Sequence, residues 1–319
     1  MNDLLYIVVP CYNEEEVLPE TSKRLKIKMA TLVSAGKISS KSRVLFVDDG
    51  SKDKTWDIIE QLHKTDSVFS GLRLSRNRGH QNALLAGLLS AKEKADMTIS
   101  MDADLQDDID AVDEMVDKYL DGCEVVYGVR SKRDTDTFFK RTTAEGYYKV
   151  INAMGVEVVF NHADYRLLSR RALESLAEYG ESNLFLRGII PMLGYKSDVV
   201  TYERGERFAG ESKYPLGKML GLAVDGITSL SIKPLRFILA MGIFMLMLTM
   251  ALFVAFLIRH FMGYTIFSWK IVTLFILFVG SLILMALGIL GEYSGKTYLE
   301  SKNRPRYFIR ELLDTDEEK

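Results

Sequence analysis

Two uncharged apolar segments near the C-terminus constrain the fold of this chain more than any other feature. Residues 237–258 and 271–290 contain no charged side chain. A helix needs about 20 predominantly apolar residues to cross the hydrocarbon core of a bilayer. A buried helix of a soluble protein can be equally apolar, but two in tandem favour transmembrane helices. The sequence therefore predicts a C-terminal helical hairpin in a membrane.

Cationic residues around this hairpin predict its orientation. The connecting segment contains Arg259 and Lys270. The outer flanks contain seven lysines and arginines, namely Lys233, Arg236, Lys296, Lys302, Arg304, Arg306 and Arg310. Cytoplasmic flanks carry the excess of such residues, so we expect a multi-pass protein of the cell membrane with both termini and the preceding domain in the cytoplasm. The first residues lack a basic region and do not predict a signal peptide.

Charge and cysteine content exclude other classes of protein. Lys+Arg total 41 and Asp+Glu total 43, giving a formal net charge of −2, whereas general nucleic-acid binders carry a basic excess. The two cysteines, Cys11 and Cys123, provide neither a disulfide framework nor a paired metal motif. We therefore expect no nucleic-acid partner and a reducing compartment.

The first 230 residues alternate short apolar runs with helical patterns. The runs lie at 4–10, 44–47, 69–74, 97–101 and 125–127, and helical patterns follow the first four. Such alternation predicts a mostly parallel sheet with helices on both faces. Ligands of these sheets bind beyond the carboxyl ends of the strands. The polar motifs CYNEEE, DDGS and DADLQDD stand at those ends, which predicts a binding site there.

The motif Asp102-Ala103-Asp104 is the best candidate for a metal site. Residues i and i+2 share a face, so the two carboxylates point the same way. Hard oxygen ligands suit Mg²⁺ or Mn²⁺, which also take substrate phosphate oxygens, and Gln106 offers a further carbonyl oxygen. The alternative is a solvated acidic turn that caps the following helix.

Two other strand-end motifs have both functional and structural interpretations. In DDGS (48–51) one side chain is expected to cap the next helix, which leaves a second carboxylate to accept from a nucleobase N–H. The segment 10–14 (PCYNE) supplies an aromatic face and polar groups, or a simple turn at the start of a helix.

Cations follow later in the chain. Arg130 ends the fifth run, and residues 207–213 (RFAGESK) resemble a phosphate cradle of cations and backbone amides. The alternative for that segment is a juxtamembrane region that binds anionic lipid head groups. Asp164-Tyr165-Arg166 adds another cation or, equally, an internal salt bridge.

Five motifs in order resemble family 2 glycosyltransferases of the GT-A fold that act on polyprenyl phosphates. They are PCYNE at 10–14, VDDGS at 47–51, DADLQDD at 102–108, GVR at 128–130 and RFAGESKY at 207–214. The chain is similar to bactoprenol (undecaprenyl-phosphate) glucosyltransferases and to dolichyl-phosphate mannose synthase, and its paired C-terminal helices favour the bacterial branch. One departure is Asp108, where the family often has proline.

The resemblance implies a role for each matching residue. The nucleotide sugar would be bound by Pro10, Tyr12, Glu14, Val47, Asp49, Asp102, Ala103 and Asp104. A Mg²⁺ or Mn²⁺ ion would be held by Asp102, Asp104 and Gln106. The acceptor phosphate would be bound by Arg130, Arg207, Ser212 and Lys213. The catalytic residues would be Asp104, Arg130, Arg207 and Lys213.

The implied reaction is inverting transfer of a sugar from a nucleotide sugar to undecaprenyl phosphate at the cytoplasmic membrane face. Glucose from UDP-glucose is the leading donor, with N-acetylglucosamine, mannose and aminoarabinose open, and relatives make a tetramer plausible. A processive polysaccharide synthase would show QxxRW and more membrane helices. A sugar-nucleotide sensor or a structural tether would not need the intact acidic and cationic motifs.

These observations divide the chain into four parts. Residues 1–213 are expected to form a cytoplasmic GT-A domain. Residues 214–234 mix apolar and charged side chains and predict an interfacial amphipathic segment. The membrane hairpin occupies 235–292, and 293–319 is expected to be a cytoplasmic tail.

Overall fold

A computed structural model describes residues 2–131, 162–181, 184–205, 228, 231–262 and 269–314. These residues form two compact units. The first contains the described residues up to 205 together with 304–314, and the second contains those from 228 to 303.

A mixed β-sheet organises the first unit. Its strands are β1 (Leu5–Cys11), β2 (Arg43–Asp48), β3 (Phe69–Leu74), β4 (Met97–Ser100), β5 (Val125–Arg130), β6 (His162–Ser169), β7 (Ser197–Tyr202) and β8 (Ile309–Leu313). Among the described residues the strand order is β7-β5-β6-β4-β1-β2-β3-β8. The strands are mutually parallel except for β6 and β8, which run antiparallel to their neighbours. The predicted fold class, a mostly parallel sheet, is confirmed.

Helices cover both faces of this sheet. They are α1 (Leu18–Ser34), α2 (Thr55–Thr65), α3 (His80–Lys92), α4 (Ala111–Leu120), α5 (Arg170–Ala177) and α6 (Leu186–Met192). Ile7 and Phe46 belong to the core that includes residues of α1, α2 and α4. On the opposite face α3 lies so close that a Cβ at Gly87 would be 2.4 Å from Val8 Cγ1 and 2.6 Å from Val47 Cγ2. Because both faces are buried, the inner strands are continuous apolar runs.

The strand directions bring the polar motifs to one edge. β1 and β2 are paired in register so that Cys11 lies beside Asp48. β4 pairs with β1 in the same direction, and its last residue, Ser100, lies beside Val8. The segments that follow β1, β2, β4 and β5 therefore leave the sheet on the same side, as the sequence predicts.

Part of the C-terminal segment 293–319 forms a strand of the sheet. Residues Ile309–Leu313 pair antiparallel with β3, and Glu311 lies opposite Arg73. The amide of Ser75 also donates to the carbonyl of Phe308 at 2.9 Å. This part of 293–319 thus completes one edge of the sheet.

The second unit contains two long apolar helices, α7 (Lys233–Phe261) and α8 (Trp269–Ser301). Both are long and apolar enough to cross a membrane. Their large apolar side chains are exposed, as shown by Phe244 (63%) and Leu284 (72%). The two predicted apolar helices are present, and each extends beyond the uncharged segments. Residues 206–227, which include most of the predicted interfacial segment, lie outside the described residues.

Candidate active site

The DDGS turn, residues 48–51, follows β2 and is tightly constrained. Asp48 is fully buried, and its Oδ1 accepts from the amide of Ser51 at 2.9 Å. Gly50 has φ +68°, and a Cβ there would lie 2.8 Å from backbone atoms of Arg76 and Asn77. Glycine is required because the conformation is left-handed and the neighbouring backbone leaves no room for a side chain.

Asp49 links this turn to the start of α3. Its Oδ1 accepts from the amide of Arg78 at 2.7 Å, and its Oδ2 accepts from the amide of Gly79 at 2.8 Å. Burial raises the pKa of the Asp49 carboxyl, although these two hydrogen bonds oppose the rise. The residue predicted to hold a nucleobase therefore also fixes the loop 75–79. Each carboxylate oxygen has a second lone pair that a ligand could use.

The segment after β1 is tied to the DDGS turn by hydrogen bonds. Asn13 adopts φ +54°, its Oδ1 accepts from the amide of Lys52 at 2.9 Å, and its own amide donates to Ser51 Oγ at 2.9 Å. The amide of Glu14 donates to Thr55 Oγ1 at 2.9 Å. These bonds hold in place a short loop whose aromatic residue, Tyr12, is 36% exposed.

The remaining nucleotide-binding candidates near this loop are strand residues. Pro10 of β1 and Val47 of β2 are buried and lie side by side in the sheet. They directly precede the loop that carries Tyr12 and the DDGS turn. The structure brings all five predicted residues of these two motifs to one corner of the sheet edge, namely Pro10, Tyr12, Glu14, Val47 and Asp49.

The acidic loop after β4 has an irregular backbone. Ala103 is buried, and its carbonyl accepts from Thr21 Oγ1 of α1 at 2.8 Å. Leu105 has φ +58°, and Asp104 Oδ1 accepts from the amide of Gln106 at 3.2 Å. Anchoring at Ala103 leaves the carboxylates on either side, Asp102 and Asp104, half-buried at the sheet edge.

A histidine that no sequence motif indicates joins the acidic loop to β6. His80 Nε2 lies 3.6 Å from Asp102 Oδ1 and 3.8 Å from Asp164 Oδ2. His80 is the first residue of α3, directly after the loop that Asp49 fixes. Its position could not be read from the sequence, because the contact depends on two strand ends meeting in space.

Several carboxylates surround Asp102. Burial is the largest cause that raises the pKa of the Asp102 carboxyl, and His80 opposes it. The neighbouring carboxylates of Asp107, Asp164 and Asp104 raise it further. A divalent cation would offset this charge, so the carboxylates of Asp102 and Asp104 fit Mg²⁺ or Mn²⁺.

The protein ligands for such an ion are few. Within the described ranges, no group of three or more His, Cys, Asp or Glu side chains forms a metal site by itself. The side-chain oxygen of Gln106, the predicted third ligand, accepts a hydrogen bond from Arg204. The Gln106 carbonyl also accepts from the amide of Gly205 at 2.9 Å. The arrangement fits an ion whose remaining ligands are substrate phosphate oxygens and water, as is common for Mg²⁺.

Arg130 is held by a buried carboxylate and a phenol. Its Nη2 lies 3.2 Å from Asp107 Oδ1, and its Nε donates to the hydroxyl of Tyr202 at 3.3 Å. Tyr202 in turn donates to Asp107, which is 3% exposed. Burial, reinforced by the Asp107 carboxylate, raises the pKa of the Tyr202 hydroxyl. Arg130 is therefore positioned at the end of β5 by Asp107 and Tyr202, whose roles no sequence motif indicates.

Asp164 and Arg166 form an internal salt bridge, which is one of the two interpretations that the sequence allows. Arg166 is 1% exposed and pairs with Asp164, while Arg187 Nη2 of α6 lies 3.1 Å from Asp164 Oδ2. Burial alone would raise the pKa of Asp164, but the Arg187 and Arg166 guanidinium groups hold it well below its usual range. Arg166 is thus committed to the domain interior. The other residues predicted to bind the acceptor phosphate, Arg207, Ser212 and Lys213, lie outside the described residues.

Comparison with known proteins identifies the family of this chain. Residues 6–177 match the family described as Glycosyl transferase family 2. The uncharacterized glycosyltransferase YkoT of Bacillus subtilis is 50% identical over 306 residues, which are 96% of this chain and 91% of that protein. The bactoprenol glucosyl transferase of Shigella phage SfV is 38% identical, covering 95% and 97% of the two chains. The prophage bactoprenol glucosyl transferase homolog of Escherichia coli is 37% identical, covering 96% and 98%.

Solved structures resemble the chain more distantly. The glucosyl-3-phosphoglycerate synthase from Mycobacterium tuberculosis, solved in complex with phosphoglyceric acid, is 18% identical with a TM-score of 0.45. The likeness covers 72% of this chain and 79% of that one.

Proposed function

The chain belongs to glycosyl transferase family 2 and is a glycosyltransferase, and from this premise we propose that it transfers glucose from UDP-glucose to undecaprenyl phosphate. The proposed product is a lipid-linked glucose that serves as a donor for cell-envelope glycosylation. The proposed location is the cytoplasmic face of the cell membrane. The match to this family confirms the resemblance that the sequence motifs indicate.

One observation carries this proposal. Two relatives named for bactoprenol glucosyl transfer are 37–38% identical, and the matches cover 95% or more of both chains. The similarity therefore includes the apolar helices α7 and α8 as well as the sheet domain. Since a lipid phosphate lies at a membrane surface, an enzyme with membrane helices is suited to that acceptor.

The proposed donor site is the corner formed by the loops after β1 and β2. Tyr12 offers an exposed ring against which a nucleobase would stack, and Asp49 offers acceptor oxygens for its N–H groups. Pro10, Val47 and Glu14 form the walls and floor of this corner in the proposal. Asp102, Ala103 and Asp104 would then lie along the diphosphate.

The proposed cofactor is a divalent cation bound by Asp102 and Asp104, with Gln106 nearby. When bound, such an ion would supply charge neutralisation for the nucleoside diphosphate as it departs. The protein's own contribution is to hold the two carboxylates in place through the anchored carbonyl of Ala103. The half-buried position of Asp102 and Asp104 on either side of the anchored Ala103 supports this assignment over a solvated acidic turn.

The proposed acceptor needs no dedicated general base. The second pKa of a phosphomonoester is about 6, so the lipid phosphate already carries a nucleophilic oxygen near neutral pH. The protein must instead bring two anions together, which is the role we assign to Arg130, Arg207, Ser212 and Lys213. A single in-line displacement at C1 would invert the anomeric centre and convert an α-linked donor into a β-linked product.

We further propose that residues 1–213, together with strand β8, form the catalytic domain and that 214–234 lie at the membrane interface. Both termini would be cytoplasmic, in accordance with the distribution of Lys and Arg around the hairpin. We also propose that the protein forms a homo-oligomer. The resemblance suggests a tetramer.

The test is a donor panel presented to the full-length protein in vesicles containing undecaprenyl phosphate. Radiolabelled UDP-glucose, UDP-N-acetylglucosamine, GDP-mannose and UDP-aminoarabinose are supplied separately with Mg²⁺ or Mn²⁺. We expect lipid-extractable label from UDP-glucose. Preferential transfer from another donor would show that the sugar is not glucose, while the reaction would still be sugar transfer to a lipid phosphate. Absence of lipid-linked label from every donor would contradict the proposal.

A further inference from the structure

The C-terminal strand β8 brings a carboxylate to the DDGS turn through one arginine. Glu311 of β8 lies opposite Arg73 of β3, and Arg73 Nη1 is 3.4 Å from Glu311 Oε1. Arg73 Nε is 3.3 Å from Asp48 Oδ2, the first residue of the turn. The guanidinium also lies over the ring of Trp56, 5.4 Å from its centre. One planar cation therefore connects the C-terminal strand to the turn that carries Asp49.

Asp48 depends on this cation because the carboxylate is fully buried. Its Oδ1 is used by the amide of Ser51. In the part of the chain that the structure describes, Arg73 is the basic residue that forms an ion pair with Asp48. A buried carboxylate that loses its partner is strongly unfavourable, so the position of Arg73 bears directly on the conformation of the turn.

We propose that Glu311 is a positioning residue of the donor site, acting through Arg73 and Asp48 on the DDGS turn. The inference rests on the proposed function, in which Asp49 of that turn binds the donor nucleotide. The segment 304–314 then supports the nucleotide site from a strand that lies beside β3. Glu311 does not touch the donor in this proposal; it sets the orientation of Arg73.

An arginine and a carboxylate suit the geometry at these two positions. The guanidinium has several donors in one plane, so it holds two carboxylates while it stacks on an aromatic ring. Glu311 is partly exposed and Arg73 is mostly buried. Without the Glu311 carboxylate, Nη1 of the Arg73 guanidinium loses its ion-pair partner. The Arg73 side chain can then adopt other orientations, away from Asp48.

A matched control is available in the same segment. Asp314 pairs with Lys94 at 2.6 Å, so it also ties the C-terminal residues to the domain. Lys94 follows α3 and precedes β4, at the edge of the sheet away from the DDGS turn. Asp314→Asn thus removes a shorter and more buried ion pair of the same segment without disturbing the chain of contacts from Glu311 to Asp48.

The experiment measures UDP binding by calorimetry and UDP-glucose kinetics for the full-length protein, with Glu311→Gln and Asp314→Asn as variants. For Glu311→Gln we expect Kd for UDP and KM for UDP-glucose to rise about two- to five-fold, in keeping with a partly exposed ion pair. We expect kcat at saturating donor to be retained. For Asp314→Asn we expect both constants to equal those of the wild type.

A double variant separates an effect transmitted through Arg73 from a general loss of protein stability. In an Arg73→Gln background, Glu311→Gln is expected to have no further effect on Kd, because the two residues act in series. Unchanged UDP affinity in Glu311→Gln, or an equal loss in Asp314→Asn, would overturn the inference and leave the proposed function intact. Failure of the wild type to bind UDP would instead contradict the donor of the proposed function.

Discussion

At the scale of single residues, the site differs from its surroundings in how carboxylate charge is compensated. Asp164 is paired with two guanidinium groups, and Asp107 is paired with Arg130. Asp102 faces a histidine at 3.6 Å, and burial raises its pKa. The compensated carboxylates stabilise the domain and orient cations. The electrostatic environment of Asp102 instead favours a bound cation, which is the basis of the first prediction.

Asp104→Asn is expected to lower the transfer rate by about 10³-fold, because a bound metal supplies several kcal/mol of transition-state stabilisation. The fold should be preserved, since asparagine has nearly the same shape. The measurement is the rate of lipid-linked sugar formation together with the melting temperature.

Asp108→Asn is the matched control for that change. Asp108 is an exposed carboxylate of the same loop whose Oδ1 accepts from the amide of Asp110 at 2.9 Å. We expect near wild-type activity for the control and complete loss of wild-type activity in EDTA. Full activity in the chelator would show that the two carboxylates do not act through a metal.

Lys213→Ala tests the proposed acceptor site. A charge-assisted hydrogen bond to phosphate contributes about 1.5–3 kcal/mol, which corresponds to roughly 10- to 150-fold. Transfer at limiting lipid is expected to fall by that factor, while donor affinity changes much less. Arg130, which lies at the end of β5, is expected to affect both when replaced. The measurement pairs UDP calorimetry with rates at varied undecaprenyl phosphate, and loss of donor binding alone would assign Lys213 to the donor site.

At the scale of elements, the sequence predicts those strands whose signal is local. β1 to β5 correspond to the five predicted apolar runs, and the structure contains each of them within a few residues of the predicted bounds. β6 contains the buried residues Asp164 and Arg166, and Arg187 of α6 completes the ion pairing of Asp164. β8 is a short segment whose partner β3 lies more than 200 residues earlier. These elements depend on long-range contacts, so apolar periodicity could not reveal them.

The helical hairpin carries a prediction of its own about topology. A cysteine placed at Gly263, between the two helices, is expected to react with an impermeant thiol reagent added outside intact cells. A cysteine at Ser301, the last residue of α8, is expected to react only after permeabilisation. The native Cys11 and Cys123 are buried and should give little background. The reverse labelling pattern would place the catalytic domain away from cytosolic nucleotide sugars.

At the scale of the whole molecule, the sequence predicts the position of the site better than its internal contacts. The DDGS and DADLQDD motifs stand at the strand ends in the structure, as the alternating pattern requires. The contacts of His80, of Tyr202 and of Glu311 arise where distant segments meet, and no local motif indicates them. A linear pattern fixes which edge of a parallel sheet carries function, whereas the partners at that edge depend on the full topology.

The central claim is that the acceptor is a phosphate carried by a polyprenyl lipid. The most direct measurement supplies radiolabelled UDP-glucose to the full-length protein in matched vesicles containing either undecaprenyl phosphate or undecaprenol. We predict lipid-linked glucose with undecaprenyl phosphate and none with undecaprenol, because the phosphate brings its own nucleophilic oxygen and the proposed site supplies cations for it. Equal transfer to the alcohol, or release of free glucose without any lipid product, would contradict the account.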